Sequence, residues 1–271
     1  MDSRPIGVFD SGLGGLTAVR ELRRLLPGEK LIYFGDTGRV PYGGRSRETL
    51  IKYARQDVAF LRQFDLKSIV IACGTVSATA LNLLSEENTL PIRGVVEPAA
   101  KAAIAATKTG KIGLIGTAAT IRSGAYERAL AVLDPTVTVT ARACPLFVPL
   151  VENGRIHSGD VVIETVCEEY LADIKAAGVD TLILGCTHYP LLTEVIGACM
   201  GPGVTLIDVG AACARRVADE LAAGDTLAPE GSQGELHCYV SDTVDGFSSL
   251  ASRFLGEDIT GHVERVDIDK Y

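Results

Sequence analysis

The chain has 271 residues, 47% hydrophobic and 22% charged, a composition that suits one large or two small globular domains and excludes a disordered polyanion or polycation. A formal net charge of −8 with no basic run excludes a nucleic-acid or anionic-membrane surface, and no apolar run approaches the ~18–20 residues that span a bilayer. Seven cysteines, an odd number without a CxxC pair, argue against a disulfide framework and for reduced thiols, and the four histidines form no HxxxH pair, so neither a metal nor a redox pair is expected.

The first strand is predicted at Ile6–Phe9, too close to the amino terminus for a signal peptide, so a cytoplasmic location is expected. Asp10 and Ser11 end it, Gly12, Gly14 and Gly15 make a turn, and Leu16, Val19, Leu22 and Leu26 recur at helical spacing. A second strand, Leu31–Phe34, runs into a loop with Pro41-Tyr42-Gly43-Gly44, after which Ser46 is an N-cap for a helix through Leu61. Ile69–Ala72 is a third strand that delivers Cys73, followed by a helix at Ala78–Leu84, a strand at Ile92–Val96 and an alanine-rich helix at Pro98–Thr107.

Lys111–Gly116 starts a new strand, with Thr117, Thr120 and Ser123 in its turn and a helix through Leu130. Val137–Ala141 alternates as a strand does. Cys144–Val151 holds two prolines, which excludes a central strand, and reads as a loop leading to Glu152. A long amphipathic helix at Val161–Ala177 precedes the strand Thr181–Leu184, which ends in Gly185-Cys186-Thr187-His188. The remaining elements are a strand at Val204–Ile207, a helix at Ala211–Leu221, and late strands at Leu236–Val240 and His262–Ile268 around a helix at Val244–Leu255.

Alternating strands and helices argue an α/β class with mainly parallel sheets. IGVFDSGLGG at Ile6 leads through a second strand to Cys73, and IGLIGTAATIRSG at Ile112 leads through a second strand to Cys186. This echo predicts two pseudo-symmetric α/β domains: residues 1–96 plus 209–271 carrying Cys73, and residues 97–208 carrying Cys186. A (β/α)8 barrel is the alternative topology.

Open α/β sheets bind ligands beyond the carboxyl ends of their strands, where Cys73 and Cys186 fall. The other five cysteines lack a matching motif and read as small buried apolar residues. A free thiol is only a few per cent thiolate at neutral pH. A nearby imidazolium changes that, and His188 stands two residues from Cys186. Two thiols facing each other across a pocket suit removal of a proton from carbon by one and its return to the opposite face by the other, which inverts a stereocentre without a cofactor. A single cysteine with a histidine would instead suit acyl transfer. The turn after Asp10 is a poor dinucleotide fingerprint, because Thr17 stands where a third glycine belongs. It does suit a small carboxylate, with Ser11 as donor and Asp10 as relay or ammonium partner. Glu152 reads as a solvated acid when taken alone.

The segments IGVFDSGLGGLT, YFGDTGRVPYG, IVIACGT, RSGAYE, CPLFVPLVENG and LILGCTHYPLL, in this order, resemble the bacterial glutamate racemase family across nearly the whole chain. The resemblance implies two α/β halves with the active site between them, and cofactor-independent interconversion of L- and D-glutamate for the cell wall. It implies Cys73 and Cys186 as the bases, assisted by Asp10, Glu152 and His188. Ser11, Tyr42, Gly43, Gly74, Thr75, Thr187 and His188 are the implied substrate contacts, and a homodimer the implied assembly. Two departures stand out. Gly74 replaces the asparagine that the family usually carries in an ACNT motif, which removes an amide that holds the substrate, and Val76-Ser77 replaces commoner small residues. Relatives acting on aspartate usually carry Glu at position 188, so His188 favours glutamate. The other functions left open are racemisation of aspartate or a related acid, and a glutamate-binding homologue of reduced turnover.

Overall fold

The computed structural model describes residues 1–257, 259 and 262–271. In the first half, β1 (Ile6–Asp10), β2 (Leu31–Gly35), β3 (Ser68–Ile71) and β4 (Ile92–Gly94) alternate with α1 (Leu16–Leu25), α2 (Arg47–Leu61), α3 (Gly74–Thr79) and α4 (Leu81–Glu86). After α5 (Val96–Ala106) come β5 (Lys111–Gly116), α6 (Ala118–Ser123), α7 (Ala125–Leu133), β6 (Thr138–Ala143), α8 (Phe147–Glu152), α9 (Val161–Ala176), β7 (Thr181–Leu184), α10 (Thr193–Met200) and β8 (Thr205–Asp208). The chain closes with α11 (Val209–Ala223), β9 (Leu236–Val240), α12 (Val244–Leu255) and β10 (Val263–Arg265).

These strands form two open sheets, ordered β10-β9-β2-β1-β3-β4 and β6-β5-β7-β8, and every pairing is parallel. The order β2-β1-β3-β4 in one matches β6-β5-β7-β8 in the other, so β1 corresponds to β5 and β3 to β7. The fold is therefore two pseudo-symmetric α/β halves and not a single barrel. The reason is visible in the strands. All residues of β1, β2, β3 and β7 are buried, because helices cover both faces, and their sequences are accordingly apolar runs without alternation. The larger apolar cluster is continuous across both halves, from Ile6 and Val8 through Ile112 and Leu114 to Leu182.

Strand order reverses between β1 and β3 in one sheet and between β5 and β7 in the other. Loops that leave such a pair diverge and open a crevice at the strand ends. The residues after β1 and β3 include Ser11 and Cys73, and those after β5 and β7 include Thr117 and Cys186. The fold thus turns two crevices toward each other.

Several elements differ from the sequence reading. Residues 147–152 are helix α8 rather than loop, because Pro149 sits in its first turn, where no amide donor is required. The helix expected at Ala78–Leu84 is two short helices that break at Ala80, whose φ of −128° leaves the helical region. Thr79 Oγ1 also donates to the Thr75 carbonyl at 2.7 Å, a local bond that bends helices. The last strand is confined to Val263–Arg265, followed by a 3-10 turn at Ile268–Lys270. Among the described residues no helix is long and apolar enough to cross a membrane.

Candidate active site

β3 carries the Cys73 backbone to the first residue before α3, and the thiol is 4% exposed. Its Sγ lies 3.6 Å from Ser11 Oγ, which the adjacent strand β1 supplies. Asp10, at the end of β1, is wholly buried beneath them. Its Oδ2 accepts from the Gly12 N–H at 3.1 Å, and the Gly15 N–H also donates to the carboxyl. The glycine turn exists to allow this approach, since a Cβ on Gly15 would fall 2.5 Å from that of Asp10. Burial raises the Asp10 carboxyl above the ordinary range, against the opposing charge of His188 and these donors. Burial, then the nearby Asp10 charge, pushes the Cys73 thiol up to about 12.

β7 carries Cys186 in the same way. Gly185 N–H bonds to the Ile115 carbonyl at 2.7 Å, which carries the attachment to β5 one residue past the end of β7. Cys186 Sγ is 3.9 Å from His188 Nδ1, and His188 Nε2 is 3.0 Å from Glu152 Oε1. Burial works against charge on the imidazole. Contacts to Cys186 and Glu152, with the charge of Asp10, outweigh it and raise His188 to about 10. A charged imidazole donates from both nitrogens, which suits a sulfur on one side and a carboxylate on the other. Glu152 reaches His188 from the end of α8, so the helix that sequence reading took for a loop is what aims it.

The two halves meet around these groups. Thr187 Oγ1 donates to Asp10 Oδ1 at 3.4 Å, and Thr17 Oγ1 donates to the Thr187 carbonyl at 3.0 Å. Thr75 and Thr117 hydroxyls lie 2.9 Å apart, and the Ala119 N–H bonds to the Gly43 carbonyl at 3.0 Å. A cavity of 490 Å³ lies between them. All the residues singled out from sequence line it except Asp10, which lies behind the wall. Such a volume suits a small metabolite. Tyr42 borders the cavity, but its hydroxyl points away. It donates to Asp36 and, at 3.2 Å, to Asp57, in a buried network closed by Arg39.

Three contributors escaped the sequence reading. Thr117 occupies in the second half the position that Ser11 region residues occupy in the first, and the internal echo carried that signal. Cys144 also lines the cavity, buried and with burial pushing its thiol up to about 12. Asp57 sits on a helix with no motif around it, and nothing in the sequence marks it as part of the Tyr42 support.

Residues 15–217 match a family model described as Asp/Glu/Hydantoin racemase. A glutamate racemase from Geobacter metallireducens is 47% identical over 269 residues, spanning 99% of this chain and 98% of its own. Among solved structures, a glutamate racemase isoform from Bacillus anthracis superposes with a TM-score of 0.94 at 40% identity, covering 98% of both chains. A glutamate racemase from Francisella tularensis, solved with D-glutamate bound, gives 0.92 at 37% identity over all of both chains.

Proposed function

The chain belongs to the Asp/Glu/Hydantoin racemase family and is an isomerase acting on an amino acid, and on that premise we propose that it interconverts L- and D-glutamate through a pair of thiols, Cys73 and Cys186. The observation that carries this reading is the placement of the two thiols at corresponding strand ends of the two halves, in one cavity. One sulfur, as thiolate, takes the α-proton of glutamate. The electron pair left on carbon is spread into the adjacent carboxylate. The opposite thiol gives its proton to the other face, and becomes the thiolate. The product is the mirror image, and the two thiols have exchanged protonation states, so the reverse reaction uses the same groups in the opposite order.

The flanking groups divide the work. His188, charged and held by Glu152, donates toward Cys186 and stabilises negative charge as that sulfur becomes a base. Asp10 positions Thr187, and burial, with the Asp10 charge second, keeps Cys73 a thiol ready to donate. The hydroxyls of Ser11, Thr75 and Thr187, with the backbone N–H groups of Gly43 and Gly74, hold the two carboxylates of the substrate. Tyr42 shapes the wall, since its hydroxyl is committed to Asp36 and Asp57. The domains that carry the two thiols are residues 1–96 plus 209–271 and residues 97–208. The biological role is supply of D-glutamate for peptidoglycan in the cytoplasm, and the assembly a homodimer, which light scattering tests.

Purified protein is expected to change the optical rotation of L-glutamate with no added pyridoxal phosphate, and to leave L-aspartate unchanged. Full activity in Cys73→Ala, or a faster rate on aspartate, contradicts the assignment.

A further inference from the structure

Resting on the racemase reading, we propose that Gly74 and Gly185 form a backbone stop on which the two halves close, and that this stop sets the spacing between the two thiols. A Cβ built on Gly74 falls 2.3 Å from the Gly185 carbonyl oxygen, 3.3 Å from its carbonyl carbon and 3.7 Å from Cys186 Cα. All three atoms belong to the opposite half. The Gly74 backbone has no positive φ that would itself demand glycine. The tightest approach at Gly74 is thus the one made by the opposite half.

Gly185 differs. A Cβ there would fall 2.7 Å from the Ile115 carbonyl of the adjacent strand, so that position is glycine for reasons inside its own sheet. Its peptide is anchored by the 2.7 Å bond to Ile115 and cannot move without β7. Each glycine is the immediate neighbour of a reactive cysteine, so the stop is one residue from both sulfurs. The contact does not stand alone. Thr117 Cβ lies 2.8 Å from a Cβ built on Gly43, and Thr187 Oγ1 lies 2.2 Å from one built on Gly14, so bare backbone meets the opposite half at three places.

A side chain at position 74 must push the end of β7 back by roughly 1 Å to reach an ordinary van der Waals distance. It would also point at Gly185, not into the cavity. Asparagine at this position would thus act here first as a wedge. A displacement of that size between reacting groups costs on the order of 100-fold in rate.

The test compares wild type, Gly74→Ala and Gly74→Asn in racemisation of glutamate, with thermal melting to establish folding. The wild-type assay alone reports on the racemase reading, so its failure is separable from failure of the inference. Both variants are expected to lose roughly 100-fold in kcat with a much smaller change in KM. The inference is overturned if Gly74→Ala keeps kcat within about threefold of wild type, if the loss falls on KM alone, or if Gly74→Asn lowers KM with kcat preserved. Should the variants fail to fold, the wild-type crystal structure with D-glutamate decides. Contact between Gly74 Cα and the Gly185 carbonyl supports the stop, and a water-filled gap there overturns it.

Discussion

At the scale of single residues the two thiols are not equivalent, and their neighbours say how. Cys73 has a hydroxyl and a buried carboxylate beside it, and its thiol is held up to about 12. Cys186 has an imidazole that keeps its proton to about 10. On the proposed two-thiol mechanism, replacing either sulfur by Cys→Ala removes one of two proton carriers, and racemisation in both directions is expected to fall by roughly 10²–10⁴-fold in a polarimetric assay. The His188 proton also bears on stability. Its folded value lies above the ordinary 6.5, so its contribution is complete below that pH and is lost as pH rises through about 10. The stability advantage of wild type over His188→Gln, read from urea unfolding at a series of pH values, should shrink across this window. In Glu152→Gln one of the contacts that raises His188 is gone, so the shrinkage should begin at lower pH. The sequence made Cys73, Cys186 and His188 legible because each stands in a local motif at a strand end. The role of Glu152 was not legible from its surroundings, since only the tertiary fold brings residue 152 to residue 188. Tyr42 was legible as part of the site but not for the direction of its hydroxyl, which depends on Asp36 and on Asp57 from another element.

At the scale of elements, strands were read correctly where a continuous apolar run ended in a turn, as in β1, β3 and β7. Helix α8 was missed because its prolines argue against regular structure until one sees that Pro149 falls in a first turn. The strand β7 is anchored at its other end as well. The Asp180 carboxylate, just before it, accepts from Thr107 Oγ1 at 2.6 Å, from the Lys108 and Thr109 N–H groups at 2.7 Å each, and from Thr109 Oγ1 at 2.9 Å. These bonds tie the entry of β7 to the turn before β5, at the end of the sheet remote from the cavity. Asp180→Ala removes the shared acceptor of four donors that water can then reach, and should lower stability by about 0.5–1.5 kcal/mol in denaturant titration. Because the site end of β7 is held separately by the Gly185–Ile115 bond, kcat of the folded variant should stay within about twofold of wild type.

At the scale of the whole molecule, the pseudo-symmetry was legible as an echo of two glycine-bearing turns, each leading to a cysteine. The return of the chain to the first half was legible as the grouping of residues 209–271 with residues 1–96, but the edge of the first sheet at which β9 and β10 join was not, because no local pattern says which edge a strand joins. That return is secured away from the site. Lys67 Nζ lies 2.5 Å from Glu29 Oε2 and donates to the Asp2 and Thr226 carbonyls at 2.9 and 2.8 Å, with both ionic side chains 2% exposed. Lys67→Met leaves Glu29 buried without its partner and should cost about 3–5 kcal/mol in stability while sparing the kcat of folded enzyme.

The central claim, that one thiol takes the α-proton and the other returns it, is tested most directly by α-proton exchange in deuterated water, run from each enantiomer with wild type, Cys73→Ala and Cys186→Ala. Wild type should incorporate deuterium into the inverted product from either enantiomer, whereas each single variant should invert either one roughly 10²–10⁴-fold more slowly. Inversion at the wild-type rate by a variant that lacks one sulfur would contradict the account.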